Sequence, residues 1–151
     1  MSFNPEVQVE EKLFARLNAS PIVPAAQSAW NTQAPPGTQI EPGSKPLIIF
    51  TMISADFSVG SFEKNAGEIF FQVSVYDDRT NGYANISDVV GKIRGDSEGT
   101  DNNPTYGLHR WLITGMTDTA DCRMELVSAF TQHEADSFHY ASTFKVTATE
   151  A

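Results

Sequence analysis

Three short stretches hold the residue types that could do chemistry. HEADSFH, from His133 to His139, sets two imidazoles close to Glu134 and Asp136. A helical zinc site with its own base needs histidines four apart, so that both aim at one ion from one face. Here they stand six apart, and the stretch reads as polar residues leading into a strand. DSEGTD gathers Asp96, Glu98 and Asp101. It has neither the glycine position nor the terminal bidentate glutamate of an EF-hand loop, so it reads as a solvated acidic loop. Asp77-Asp78 resembles a catalytic carboxylate pair, but at a strand end before a turn and helix the two acids more simply cap and solvate the junction. Cys122 is the single cysteine, so no intrachain disulfide is expected, and it reads as a small semi-buried apolar residue. Phosphate-binding glycine loops, dinucleotide fingerprints and nucleophile elbows do not occur. No catalytic residue, cofactor or metal is therefore expected.

The elements that would position any site are bounded by length and charge. A chain of 151 residues fits one domain and buries roughly 68–70% of its unfolded surface, enough for a core without disulfides or metal. Ten basic against nineteen acidic side chains give a formal charge of −9. Gripping nucleic acid requires lysine and arginine against phosphate, so this balance argues against it. An acidic surface repels a phosphate backbone, which suits a conduit through which DNA slides. No apolar run approaches the ~20 residues that span a bilayer, and the N-terminus lacks the pattern of a secretory signal, so a soluble protein made in a cytoplasm is expected.

Along the chain, Asn4 as N-cap, Pro5 at the first helical position and the stripe Val9, Leu13, Leu17 predict a helix closing by about Ala19. Residues 20–46 hold six of the eight prolines and predict an extended, irregular loop or arm. Trp30 lies in its middle. It either folds back on the domain or docks on another subunit. PLIIFTMIS predicts a buried strand, and residues 55–67, with Phe57 and Phe62, a turn-rich connection. EIFFQVSVY then alternates, with Ile69, Phe71, Val73 and Val75 toward a core and a mixed face behind.

After DDRTNG the period changes to that of a helix, with Ala84, Ile86, Val89, Val90 and Ile93 in its stripe and Gly95 as its stop. HRWLITGMTD and FHYASTFKVTAT predict two closing strands. Residues 119–137 between them fit a strand continued through a bulge, an additional strand, or a short helical turn. The expectation is an α+β domain: a largely antiparallel sheet with two helices packed on one side, order α-β-β-α-β-β, with long extended loops.

This succession, with LFARLNASP ending the first helix, a Pro-rich segment leading to KPLIIFTMIS, FFQVSVYDD followed by NISDVVGKI, and paired strands ending HYASTFKVTAT, resembles the tail terminator (tail completion) proteins of tailed bacteriophages. The resemblance spans nearly the whole chain and rests on pattern, not on an invariant motif. It implies a virion protein that forms a ring, usually hexameric, on the head-proximal end of the tail tube. The partners it implies are other copies of the chain, the tail tube protein and the neck or connector protein, with DNA passing through without specific binding.

It transfers no catalytic residue. Under it, Trp30, Phe57 and Phe62 are candidate anchors of the oligomer or tube interface, and Asp96, Glu98 and Asp101 candidate channel-lining or solvent-facing acids. The competing readings are another neck or head-completion component, a monomeric ligand-binding module, and a small hydrolase or cation-dependent enzyme using the acids and histidines of the last third.

Overall fold

The structure is a computed structural model that describes residues 3–61, 63–96 and 103–151. Helix α1 (Pro5–Leu17) begins as the proline predicts, yet the Asn4 side chain makes no cap. It accepts from Gln8 Nε2 at 3.1 Å, and Gln8 also donates to the Thr117 carbonyl at 2.9 Å. The helix ends at Leu17 because Asn18 turns away to bind the next segment. Its Oδ1 accepts from Ala29 N at 2.9 Å while its Nδ2 donates to Phe14 O at 2.8 Å.

The expected extended arm over 20–46 is corrected at two places. A helical turn, α2 (Ile22–Ala25), and a three-residue strand, β1 (Ala29–Asn31), lie inside it. The prolines flank β1 and leave its amides free to pair. β1 therefore adds in parallel to β2 (Leu47–Asp56), with Ala29 opposite Ile48, Trp30 opposite Ile49 and Asn31 opposite Phe50. Gln27 N to Pro46 O at 2.8 Å and Thr32 N to Phe50 O at 2.7 Å fasten its two ends.

β2 pairs antiparallel with β3 (Ala66–Asp78), with a bulge between Met52 and Ser54. A 3-10 turn at Arg79–Asn81 leads into α3 (Tyr83–Arg94). β4 (Leu112–Ile113), β5 (Cys122–His133) and β6 (Ser137–Thr149) complete a six-stranded sheet in the order β1-β2-β3-β6-β5-β4. All pairings but β1–β2 are antiparallel. The long strand expected at 109–118 is thus only two residues, and 119–137 supplies the additional strand β5 instead. The cause lies upstream. Leu108 N and His109 N are bonded to the Ile93 and Arg94 carbonyls at the end of α3, so the chain reaches the sheet only at Leu112.

One core joins these elements. Ile69, Phe71, Val73 and Val75 of β3 are buried as the alternation predicts, and Phe144 and Val146 of β6 stand opposite Phe71 and Ile69. Val9, Leu13 and Leu17 of α1 and Ile86, Val89, Val90 and Ile93 of α3 belong to the same buried cluster. The molecule is a mixed α+β protein with a largely antiparallel sheet.

At the end of α3 two backbones cross at Gly95 and Gly107. Both have positive φ, 104° and 87°, and a Cβ on Gly107 would lie 2.5 Å from Gly95 N and 2.9 Å from the Arg94 carbonyl carbon. Only glycine satisfies both demands at once.

Candidate functional site

The strand register separates two faces of the sheet. Odd residues of β3 join the core, and even residues, Phe70, Gln72, Ser74 and Tyr76, form the other face. Trp30 and Ile49 extend that face on one flank, since they stand opposite each other and Ile49 opposite Ser74. His139, Ala141 and Phe130 extend it on the other. Tyr76 and His139 stack at 4.3 Å and 15°, and Phe130 meets His139 edge-on at 6.1 Å.

Charge on this face sits at its two ends: Glu68 lies at one, where Lys145 stands opposite both Phe70 and Glu125, and Asp78 lies at the other, opposite Ser137. From Gln72 to Tyr76, and across to Trp30 and Phe130, the face carries no acid, lysine or arginine. Burial lowers the His139 pKa below the ordinary imidazole value, against a smaller opposing pull from Glu134, and so favours its neutral form. Aromatic side chains on a patch depleted of charge are the composition of a protein interface centre.

The sequence-predicted site residues fall in different places. Of the two expectations for Trp30, the structure shows the fold-back on the domain: it lies within β1, half-buried, and its register puts it on the uncharged face. Phe57 lies in the connection between the antiparallel strands β2 and β3, as the turn-rich reading of this stretch expects. Its ring covers Gly67 and meets Phe3 edge-on at 6.1 Å, while 44% of the residue remains exposed. Asp96 is engaged in its own loop. It accepts from Thr105 N at 2.9 Å and Thr105 Oγ1 at 2.6 Å, which holds its carboxyl below the usual range. Phe62, Glu98 and Asp101 lie outside the described residues. Among the described residues, Trp30, Phe57 and Asp96 therefore do not share one site. Tyr76, Phe130 and His139 form the cluster instead, and the only sequence signal for them is the mixed face of the β3 alternation.

The second feature is an open sheet edge. β4 covers only Cys122 and Arg123 of β5, and the 109–111 loop bonds Met124 and Leu126. Beyond the bulge at Val127 the strand is exposed through His133. Ladder alternation shows which amides are free. Glu134 N donates inward to Ser137 O across the turn, so the N–H groups of Ala129, Thr131 and His133 point away from β6. On the opposite flank, β1 stops at Phe50, which leaves the outer edge of Met52–Asp56 uncovered among the described residues. Beside it a groove of about 380 Å³ opens between α1 and β2, lined by Val7, Phe14, Phe50 and Asn31 with Glu10 and Glu11.

The buried titratable groups are structural. Asp78 caps the 3-10 turn as expected, accepting from Thr80 N at 2.8 Å. Asp77 does something the sequence did not announce. It is fully buried, and its Oδ1 accepts from Asn81 Nδ2 at 2.9 Å and from Asp78 N at 2.9 Å. Asn81 in turn donates to the Glu41 and Ser44 carbonyls, both at 3.1 Å, and accepts from Gly43 N at 2.7 Å. Asp77 and Asn81 thus clamp the Glu41–Ser44 turn of the Pro-rich segment.

Cys122 is buried, and burial pushes its thiol up to about 11. The thiolate is the reactive form, so a thiol reagent at about pH 8 should label native protein at least a hundredfold more slowly than unfolded protein. Equal rates would show that Cys122 is accessible. His133 and His139 do not converge on an ion: His133 meets Phe138 edge-on, and His139 stacks on Tyr76. Among the described residues no group of three or more His, Cys, Asp or Glu could hold a metal. No family model matches this sequence, and no curated protein is detectably similar to it.

Proposed function

We propose that this chain is a tail terminator of a tailed bacteriophage, a structural virion protein. Its copies close into a ring, six on this reading, that caps the head-proximal end of the tail tube, stops its growth and joins it to the neck. The observation that carries the assembly role is the uncharged aromatic face from Trp30 through Tyr76 to Phe130 on a chain of formal charge −9. Such a face favours contact with protein over contact with solvent or phosphate.

The choice of tail terminator rests on the order of elements: an amphipathic helix, a long Pro-rich connection, a hairpin, a second long helix and closing strands. On this reading the protein works by contact and not by catalysis. Its acidic balance keeps DNA from adhering as it passes.

Native mass measured across a concentration series, with and without tail tubes, tests the proposal. Closed rings, formed alone at high concentration or on added tubes, are the expected outcome. A chain that stays monomeric in both conditions would sink the proposal.

A further inference from the structure

We infer that neighbouring copies join strand to strand, the free edge of β5 in one copy pairing with the free edge of β2 in the next. This rests on the self-assembly proposed above and names its contact. Natural sheets blunt exposed edges with lysine, proline or inward charge. Val127–Gln132, VSAFTQ, has none of these, and Val127 and Phe130 are 52% and 50% exposed. Met52–Ala55 on the other flank is equally free of charge, with Ile53 51% exposed.

A second copy is the occupant that the charge balance selects. Two chains of −9 repel unless they meet along uncharged strips, and these two edges are such strips. The topology fits as well. β2, β3, β6 and β5 alternate in direction, so a neighbour placed beside β5 by rotation offers its β2 antiparallel.

The two edges are different surfaces on opposite flanks, so the contact is head-to-tail, the kind that closes into a ring. They are also offset. Ser54 stands opposite Phe70, Phe70 opposite Lys145 and Lys145 opposite Glu125, while Phe130 stands opposite Ala141, which puts the middle of the β2 edge four ladder steps from Phe130. Neighbours are then staggered by about 14 Å along the strands, as tilted strands around a closed ring require.

Area explains why closure matters. Five paired residues share a main-chain strip of about 17 by 10 Å, roughly 170 Å² per partner, against the ~800 Å² of a stable pair. One contact holds a dimer weakly. A ring engages both flanks of every copy.

Thr131→Pro tests this directly, because it removes an outward N–H and no bond to β6. Native mass is measured for wild type and variant, with amide exchange on the wild type in assembled and dissociated form. The expected result is a ring for wild type and at least tenfold weaker association for the variant, with its thermal transition within a few degrees. In the wild-type ring the amides of Ala129, Thr131 and His133 gain protection, while the inward amides of Ser128 and Phe130 are protected in both forms. A variant that forms rings like wild type would overturn the strand pairing and leave the ring standing. So would outward amides that exchange equally in both forms, a readout that holds even if the proline variant fails to fold. A wild type that never associates would overturn both proposals.

Discussion

Gly107→Ala should destabilise the protein by roughly 3 kcal/mol, the sum of a left-handed backbone forced on an L-residue and a steric overlap that the backbone cannot relieve. Gly107 sits at φ 87°, and its new Cβ would meet the Gly95 amide nitrogen and the Arg94 carbonyl carbon within 3 Å. Neither atom can rotate away. The crossing also supports the Leu108 and His109 amide bonds to the end of α3, so relief by movement would detach the loop that covers the Met124 end of β5.

Gly91→Ala is the matched control. Gly91 lies inside α3 with no atom within 4 Å of its added Cβ, so alanine there should stabilise by up to ~1 kcal/mol through helix propensity. Denaturant unfolding of the two variants checks both signs. If Gly107→Ala is as stable as wild type, the crossing is not as tight as described.

Asn81→Ala should also cost about 3 kcal/mol, because it removes four hydrogen bonds and leaves the Asp77 carboxylate buried with only the Asp78 amide. The pH dependence identifies the charge as the cause. Burial, the largest influence, raises the Asp77 pKa above its ordinary value, while the Asn81 and Asp78 hydrogen bonds oppose that rise. A folded pKa above the unfolded one means that the native state holds the proton more tightly. The buried charge therefore costs stability at neutral pH, and that cost disappears as pH falls through the folded value.

Removing Asn81 raises the pKa further, so the Asn81→Ala penalty should shrink between about pH 7 and pH 4.5. Asp78 and Asp96 act in the opposite sense. Hydrogen bonds from Thr80 and Thr105 hold their pKa values down, and the stability they add is lost only below the usual carboxylate range. Asp77→Asn, which keeps an acceptor for Asn81 without the charge, should flatten the pH dependence over the upper window. A penalty for Asn81→Ala that is constant across the window would assign it to the lost turn contacts alone.

These clamps bear on the assembly proposal. Asp77–Asn81 fixes the Pro-rich segment to the sheet end, and the Asn18 and Gln27 bonds fix its first half. Together they hold Trp30 in β1 on the uncharged face, so the aromatic patch exists before any partner arrives. Preorganised contact surfaces lose less entropy on association than loops that must be ordered.

Periodicity alone determined α1, α3, the buried face of β3 and the alternation of β6, because each of those elements buries one face and its apolar residues must recur at the period of its backbone. Tertiary structure alone decided the rest. β1 is three residues long and is held by β2 and Asn18, so nothing local marks it among prolines. β4 lost most of its predicted length because Gly95 and Gly107 tie the chain to α3 first. β5 has little alternation to read: from Val127 to His133 it is exposed on both faces, and a pattern of burial is absent where burial is absent. Tyr76, Phe130 and His139 lie on three strands that only the register brings side by side. Their adjacency is a property of pairing between distant segments, which composition and spacing within any one segment do not encode.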